Sequence, residues 1–372
     1  MTPLEQLIVE RIEAQGPMPF AAYMAMALYH PEHGYYSSGA ERTGWAGHFL
    51  TSPELDPAFG ELWSAGFEQV WDACGRPESF DVVEIGPGEG SFAAAVLTAA
   101  RGSFREALRY RLIERIPSLR DRQSARLREF DNVEWSASIT DLPSGESGCV
   151  FANEVLDNLP IHLVEKRHGS LLEVCVEVSD GQLAFRLRPP ASKEVTAFLD
   201  RVGVDLPDGH RFEVTLAAES LVKRAAELFA RGAVIFVDYG GDAASLAERS
   251  TGTLICYSSS GIDDDPLENP GSKDITAHAN WTAVMAACVR AGMVVSGPRP
   301  QRDILRALGL DALHKRLQAE HDDAVGTGRG RDAIAALSRR QALGVLADPS
   351  GLGGFDVLVA CKGIPLPAFT AQ

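Results

Sequence analysis

Three glycines separated by single residues follow an apolar stretch that is typical of a buried β-strand. The stretch FDVVEI, residues 80–85, leads into Gly86, Gly88 and Gly90, and a helix-compatible segment begins directly after them. Glycine lets the backbone turn sharply and lets a ligand lie against main-chain atoms, where a side chain would block it. The spacing predicts a ligand-binding turn at the end of a strand, although such turns also occur without a ligand.

The spacing of this turn differs from that of the dinucleotide fingerprint, which requires a third glycine at position 91. Ser91 stands there instead. Glu84 precedes the turn and Glu89 lies within it, and two carboxylates would repel a diphosphate but attract a cation. We therefore predict that the turn binds S-adenosylmethionine, which carries a sulfonium and an amino group. A nicotinamide-dependent dehydrogenase is the disfavoured alternative.

Glu114 is a second and separate feature. It ends the next predicted strand, Tyr110 to Glu114. At this place in the strand order, doubly wound folds carry a carboxylate that binds both hydroxyls of a ribose. A solvated strand end is the alternative reading. The residues predicted to bind S-adenosylmethionine are Glu84, Gly86, Gly88, Gly90, Glu114 and Asn153.

Polar side chains also follow a third apolar strand, Cys149 to Ala152. They are Asn153, Glu154 and Asp157. In a doubly wound fold the carboxyl ends of the strands form the ligand crevice, where a carboxylate orients an acceptor N–H or O–H or takes its proton. We predict that Glu154 has this role and that Asp157 assists it. The alternative is a helix start, which Pro160 disfavours.

An irregular segment from Tyr29 to Pro57 is rich in aromatic residues and glycine. A long irregular segment inside a compact protein is more often a binding loop or lid than a plain connector. Tyr35, Tyr36, Trp45 and Phe49 either form a core within this segment or line an acceptor pocket. Tyr35 and Tyr36 are the predicted helpers of the catalytic carboxylates.

The elements that must position these residues alternate between strand and helix. This order predicts an α/β fold with a doubly wound, Rossmann-like core. Two alternating runs between His162 and Leu187, around the turn Ser179-Asp180-Gly181, predict a β-hairpin insertion. The predicted division is an N-terminal helical and lid segment at 1–75, a doubly wound core at 76–161 and 210–372, and a β-hairpin insertion at 162–209.

Composition excludes several classes of partner. The net charge of −16, from 35 Lys and Arg against 51 Asp and Glu, opposes binding to nucleic acid and to anionic membranes. Six cysteines without a CxxC pair predict free thiols in a reducing cytosol and no metal site, and no apolar run is long enough to span a bilayer. The N-terminus does not resemble a signal or transit peptide, so we expect a cytoplasmic protein. A homodimer stays open.

These motifs resemble the MidA-like family of S-adenosylmethionine-dependent methyltransferases. That family comprises bacterial relatives of a mitochondrial complex I assembly factor that methylates an arginine of a core complex I subunit. The resemblance implies that the doubly wound core is a class I methyltransferase core and that the hairpin insertion lies on its acceptor side. It also implies cofactor binding through the glycine turn and Glu114, and an acceptor region at Glu154 and Asp157. The blocks that carry it are FAAYMAMALYHPEHGYYSSG, FLTSPELDPAFGELW, EIGPGEGSF, YRLIERIPSLRDRQ, ANEVLDNLP, VDYGG, GTLICY and PGSKDITAH.

The chain departs from the family pattern on the acceptor side. Ile255 stands where the family usually carries an Arg, the family's nearby His is absent from the 252–261 block, and Asn280 replaces a family Asp. A guanidinium acceptor requires carboxylates and polar partners in a fixed arrangement. We therefore expect a small, aromatic, indole-like metabolite as the acceptor. The alternatives are a protein arginine, or a catalytically silent assembly factor that only binds the cofactor.

Overall fold

The computed structural model describes residues 2–37, 51–258 and 261–371, so Trp45 and Phe49 of the predicted lid lie outside the described residues. The strands are β1 (Met18–Pro19), β2 (Phe80–Ile85), β3 (Leu108–Ile113), β4 (Val133–Ser136), β5 (Gly145–Asn153), β6 (His162–Arg167), β7 (Ser170–Ser179), β8 (Gln182–Arg188), β9 (Arg211–Val214), β10 (Phe229–Asp238), β11 (Gly240–Gly241), β12 (Ile255–Ser258), β13 (Gly261–Asp263), β14 (Asp274–Thr276), β15 (Ala279–Asn280), β16 (Val294–Pro300) and β17 (Asp356–Lys362). The helices are α1 (Pro3–Gln15), α2 (Phe20–Tyr29), α3 (Ser52–Leu55), α4 (Ala58–Ala73), α5 (Ser91–Ala99), α6 (Gly102–Ala107), α7 (Pro117–Arg126), α8 (Lys193–Val202), α9 (Leu216–Leu228), α10 (Ala243–Ala247), α11 (Trp281–Arg290), α12 (Gln301–Ala307), α13 (Leu310–Gly326) and α14 (Gly330–Leu346).

The central sheet has seven strands in the order β16-β17-β10-β5-β2-β3-β4. The five strands from β10 to β4 are parallel, and β17 runs antiparallel to both of its neighbours. The chain moves outward from β2 through β3 to β4 and then returns to β5 on the other side of β2. This reversal creates a crevice at the carboxyl ends of β2 and β5. The predicted doubly wound α/β fold is confirmed.

A second sheet of five strands packs against the N-terminal helices. Its order is β1-β7-β6-β9, and β8 pairs with β7. The predicted hairpin is present, because Ser179 pairs with Gln182 across its turn. The prediction of only two strands between 162 and 187 was wrong, because a second tight turn at His168 and Gly169, both with positive φ, separates β6 from β7. This sheet also includes residues 18–19 and 211–214, outside the predicted insertion.

Helices cover both faces of the central sheet. On one face, α4 and α5 meet β5 in an aromatic cluster in which the rings of Phe92 and Phe151 stack with centroids 4.6 Å apart. Trp63 and Phe67 contact Phe151 edge-on at 5.0 and 5.5 Å. On the other face, α9 and α11 bury Val222 and Trp281. Packing on both faces of the sheet therefore fixes the position of β5. It also fixes the start of the turn that carries the crevice residues after β5.

None of the described helices combines the length and the apolar character that crossing a bilayer requires.

The aromatic cluster leads to a prediction about stability. We expect Phe151→Ala to lower the free energy of unfolding by about 3–5 kcal/mol, because it leaves a cavity beneath three aromatic rings. Denaturation in urea measures the change. The control is Val289→Ala on α11, where the side chain is 62% exposed and a change within about 0.5 kcal/mol is expected. Equal losses in the two variants would show that the cluster does not anchor β5.

Candidate active site

The turn after β2 has a backbone that favours glycine at three positions. Gly86, Gly88 and Gly90 have φ values of 67°, 52° and 79°, in the left-handed region. A Cβ at Gly86 would lie 2.9 Å from the side chain of Val155, whereas a Cβ at Gly88 would point into open space beside the crevice. Any larger residue at Gly88 would fill the space that a ligand needs.

Glu84 is the penultimate residue of β2 and lies directly before this turn. The hydroxyl of Tyr110 on β3 donates a hydrogen bond to its Oε2 at 2.8 Å. Burial raises the pKa of Glu84 to about 8, because the ionised form has lost its hydration. Glu84 therefore holds a proton at neutral pH and ionises when a cation approaches it.

Gln123 connects the glycine turn to Glu114. Its amide nitrogen donates to the carbonyl oxygen of Gly88 at 2.8 Å and to Oε2 of Glu114 at 3.4 Å. Its own oxygen accepts a hydrogen bond from the indole of Trp135 at 3.0 Å. Gln123 is the buried residue of α7. Sequence reasoning missed it, because a single Gln among the charged residues of a helix gives no local signal.

Glu89 does not have the role that the sequence suggested. Its carboxylate binds the guanidinium of Arg122, with Nε 2.9 Å from Oε2, and it does not line the crevice. The prediction that Glu89 attracts a cationic ligand was wrong, because a cation of α7 already neutralises it.

A buried carboxylate from β10 holds the turn that follows β5. Oδ2 of Asp238 accepts hydrogen bonds from the backbone N–H groups of Val155, Leu156 and Asp157 at 3.2, 2.9 and 3.3 Å. These contacts hold Glu154 at a φ of 52°, a conformation that costs a non-glycine residue about 1–2 kcal/mol. Sequence reasoning missed Asp238, whose position after a separate strand hides its contact with this turn.

Glu154 and Asp157 both face the crevice with raised pKa values. Burial, followed by the nearby Asp157, raises the pKa of Glu154 to about 8, although the amide of Asn153 donates to its Oε1 at 3.0 Å. Burial raises the pKa of Asp157 to about 6, although the hydroxyl of Tyr239 donates to its Oδ2 at 2.6 Å. Oδ1 of Asp157 and Oδ1 of Asn153 are buried without a hydrogen-bond partner among the described residues. Such atoms are expected where a ligand supplies the donors.

A third carboxylate, Asp274, forms the opposite wall. The hydroxyl of Tyr36 lies 2.9 and 3.1 Å from its two oxygens, and the amide of Asn158 donates to Oδ1 at 2.9 Å. Tyr35 does not share this position. It is fully buried in the N-terminal hydrophobic core, where its ring contacts that of Tyr36 edge-on with centroids 5.1 Å apart. The prediction that Tyr35 assists catalysis was therefore wrong, because Tyr35 is a core residue. Tyr36 lines the crevice, as predicted.

The crevice encloses a cavity of ≈ 240 Å³ whose described lining carries five carboxyl groups and no Lys or Arg. The carboxyl groups belong to Glu54, Glu84, Glu154, Asp157 and Asp274. A low-dielectric cavity with this lining favours a cationic occupant. The predicted site residues that line it are Tyr36, Glu84, Gly86, Gly88, Asn153, Glu154 and Asp157, while Gly90 and Glu114 lie outside this lining and contact Gln123.

Comparisons with known proteins agree with this geometry. The profile of a family described as "Putative S-adenosyl-L-methionine-dependent methyltransferase" matches residues 64–299. The chain belongs to this family. It is a MidA-like S-adenosylmethionine-dependent methyltransferase, as its motifs indicated.

Relatives of known structure and of curated function extend the match over most of the chain. A "likely methyl transferase" from Burkholderia thailandensis, solved with bound S-adenosyl-homocysteine, is 31% identical, with a TM-score of 0.87 over 99% of this chain and 94% of that chain. The "Protein arginine methyltransferase NDUFAF7, mitochondrial" of Xenopus tropicalis is 30% identical over 85% of this chain and 77% of its own length. The protein of the same name from Danio rerio is 29% identical over 86% and 79%.

The residues at the turn fit S-adenosylmethionine. The open space in front of Gly88 admits a ligand against the backbone, and Glu84 lies where a cationic group is stabilised. Asn153 offers a buried oxygen that lacks a donor among the described residues. The loop and the acids therefore match both the shape and the charge of this cofactor.

The link between Glu114 and the glycine turn leads to a prediction about cofactor binding. We expect Glu114→Gln to weaken the binding of S-adenosyl-homocysteine by about 10- to 100-fold, because the ribose loses a charged acceptor worth about 1.5–3 kcal/mol. Calorimetry measures the dissociation constant. The matched control is Glu89→Gln, which removes a carboxylate paired with Arg122 and should leave affinity nearly unchanged. Equal effects of the two substitutions would contradict the assignment of Glu114.

Proposed function

We propose that the protein methylates the guanidinium group of an arginine in a polypeptide. The observation that carries the proposal is the set of three carboxylates, Glu154, Asp157 and Asp274, around a cavity whose described lining has no cation. A guanidinium presents five N–H donors in a plane, so several acceptors around one small cavity suit it better than a neutral ring does. The names of the curated relatives, protein arginine methyltransferases, support the same acceptor.

Two of the sequence departures that favoured a small aromatic acceptor, Ile255 and Asn280, lie outside the described cavity lining. Asn280 is buried and caps α11, where its Oδ1 accepts the N–H of Ala283 at 3.1 Å. Ile255 begins β12 and pairs with Thr276. Neither residue belongs to the described lining of the cavity, so their substitution leaves the carboxylates in place. The indole-like metabolite has no support from the comparisons.

We assign a role in this reaction to each of the polar residues around the cavity. When bound, S-adenosylmethionine would supply a methyl group that a guanidinium nitrogen attacks in line, with S-adenosyl-homocysteine as the leaving group. Asp157 and Asp274 orient the guanidinium, and Tyr239, Tyr36 and Asn158 hold these two carboxylates in turn. As the new N–C bond forms and the C–S bond breaks, Glu154 takes the proton that the nitrogen releases. The buried position of the cavity also excludes water from the reacting groups.

Cellular partners remain proposals. Residence in the cytoplasm is proposed from the sequence alone, whereas the curated relatives named above carry the word mitochondrial. A homodimer is likewise a proposal. The net charge of −16 argues against nucleic acid as a substrate.

The role of Glu154 leads to a prediction about turnover. We expect Glu154→Gln to lower methyl transfer to an arginine peptide by about 10²–10⁴-fold, because the proton loses its acceptor, while affinity for S-adenosyl-homocysteine is retained. Mass spectrometry of the peptide measures the product, and Glu89→Gln serves as the control. The variant should stay folded. The pKa of Glu154 rises from 4.5 to about 8 on folding, so this group lowers the free energy of unfolding as pH rises through that window. A neutral Gln does not have this cost.

Two outcomes would reject the proposal. Methylation of an indole but not of the arginine peptide would restore the small-metabolite reading. Cofactor binding without transfer to either acceptor would favour a silent assembly factor.

The raised pKa values lead to a prediction about pH. With pKa values raised to about 8 and about 6, Glu154 and Asp157 are protonated at pH values below these. A guanidinium pairs with their ionised forms. Binding of the cation therefore releases protons, and kcat/KM for the arginine peptide should rise from pH 6 to pH 8.5 and then level off. In the Glu154→Asp variant, kcat/KM should still rise with pH, but the midpoint of the rise should lie at a different pH. A profile that falls over this range would contradict a cationic acceptor.

A further inference from the structure

A larger cleft adjoins the catalytic cavity. It has a volume of ≈ 1040 Å³ and lies between the α3 region, α4, α5, and the C-terminal helices α13 and α14. Pro53 and Glu54 line both the cleft and the cavity of ≈ 240 Å³. The two spaces are therefore adjacent, and the larger one provides room for parts of a substrate that lie outside the reacting group.

The floor of the cleft is made of small side chains along α5. Gly60 of α4 lies so close to α5 that a Cβ there would be 2.5 Å from Cβ of Ala95. This close approach leaves a smooth surface of Ser, Ala and Thr residues from Ser91 to Ala99. Eight residues of helix rise about 12 Å, which matches the length of three or four residues of an extended peptide.

The charged residues around the cleft are not equally available. Arg316 and Arg339 are engaged with Glu61, at 2.6 and 3.4 Å, and so attach α13 and α14 to α4. Arg101 donates to the backbone carbonyls of Thr98 and Ala100. Glu54, at the junction with the cavity, forms no ion pair with any residue that the structure describes. A second cation next to the methylated group would find a partner there.

We propose that this cleft binds the polypeptide on one side of the acceptor arginine, with a Lys or Arg neighbour paired to Glu54. The proposal rests on the function proposed above and specifies its substrate as an extended segment with one basic residue beside the acceptor arginine. The cavity holds the guanidinium and the cleft holds the chain that carries it. A free amino acid would leave the cleft without a ligand.

The test uses a substitution that fills the cleft without touching the catalytic cavity. Thr98 lies on the exposed side of α5 and lines only the cleft, so Thr98→Trp adds bulk there. The acceptors are acetyl-arginine amide and two sets of peptides of about ten residues with a central arginine and otherwise randomised flanks, one set with lysine and one with glycine beside the arginine. Release of S-adenosyl-homocysteine gives KM and kcat for each. Val289→Trp, on the distant helix α11, is the matched control.

We expect Thr98→Trp to raise KM for the long peptides by about ten-fold and to leave kcat/KM for acetyl-arginine amide unchanged, whereas Val289→Trp changes neither. Glu54→Gln should reduce the preference for lysine over glycine beside the arginine. An unchanged KM for the long peptides in Thr98→Trp would overturn the cleft assignment alone, since the wild-type protein would still methylate arginine. Wild-type protein that is inactive on every arginine acceptor would overturn both proposals.

Discussion

The site depends on one set of hydrogen bonds. The buried carboxyl group of Asp238 accepts them from three consecutive backbone N–H groups. Asp238 ends β10, and the turn that it binds follows β5, its neighbour in the sheet. Burial, together with the nearby Asp157 and Glu154, raises the pKa of Asp238 well above its ordinary value, and the hydrogen bonds from three N–H groups offset part of the cost of burying this acid. These hydrogen bonds keep Glu154 in a left-handed conformation and direct Glu154 and Asp157 into one cavity. The backbone N–H of Glu154 also donates to the carbonyl oxygen of Val237 at 2.8 Å, and this bond ties the start of the turn to the same strand.

This arrangement costs stability and thereby prepares the site for a cation. Glu84 and Glu154 have pKa values raised to about 8 by burial, so each opposes folding at neutral pH relative to a solvated carboxyl group. A cationic ligand that restores the ionised state recovers part of that free energy on binding. Hydrogen bonds from Tyr110, Asn153 and Tyr239 reduce the cost without removing it. At these buried positions, apolar residues would not carry this cost.

The predicted elements of the core were largely correct, because the strands are continuous apolar runs and the helices between them follow a clear alternation. Strand β2 has the predicted bounds, and Glu154 and Asp157 both reached the crevice. The failures have physical reasons. Tyr35 and Tyr36 are adjacent in sequence, but Tyr35 is fully buried in the core and only Tyr36 reaches Asp274 with its hydroxyl. Gln123, Asp238 and Asp274 act through contacts with distant segments, and no local pattern marks such contacts.

The sequence by itself determined the class of fold, the glycine turn and the cofactor, since these follow from short-range spacing within one strand, turn and helix. Only the tertiary structure decided which acids share a cavity. Asp157 and Asp274 are far apart in the chain, yet they line one cavity because β14 packs beside the turn after β5. Glu89, beside the cofactor turn, is neutralised by Arg122 of α7. Charge in a site is set by three-dimensional neighbours, and the order of residues along the chain does not specify them.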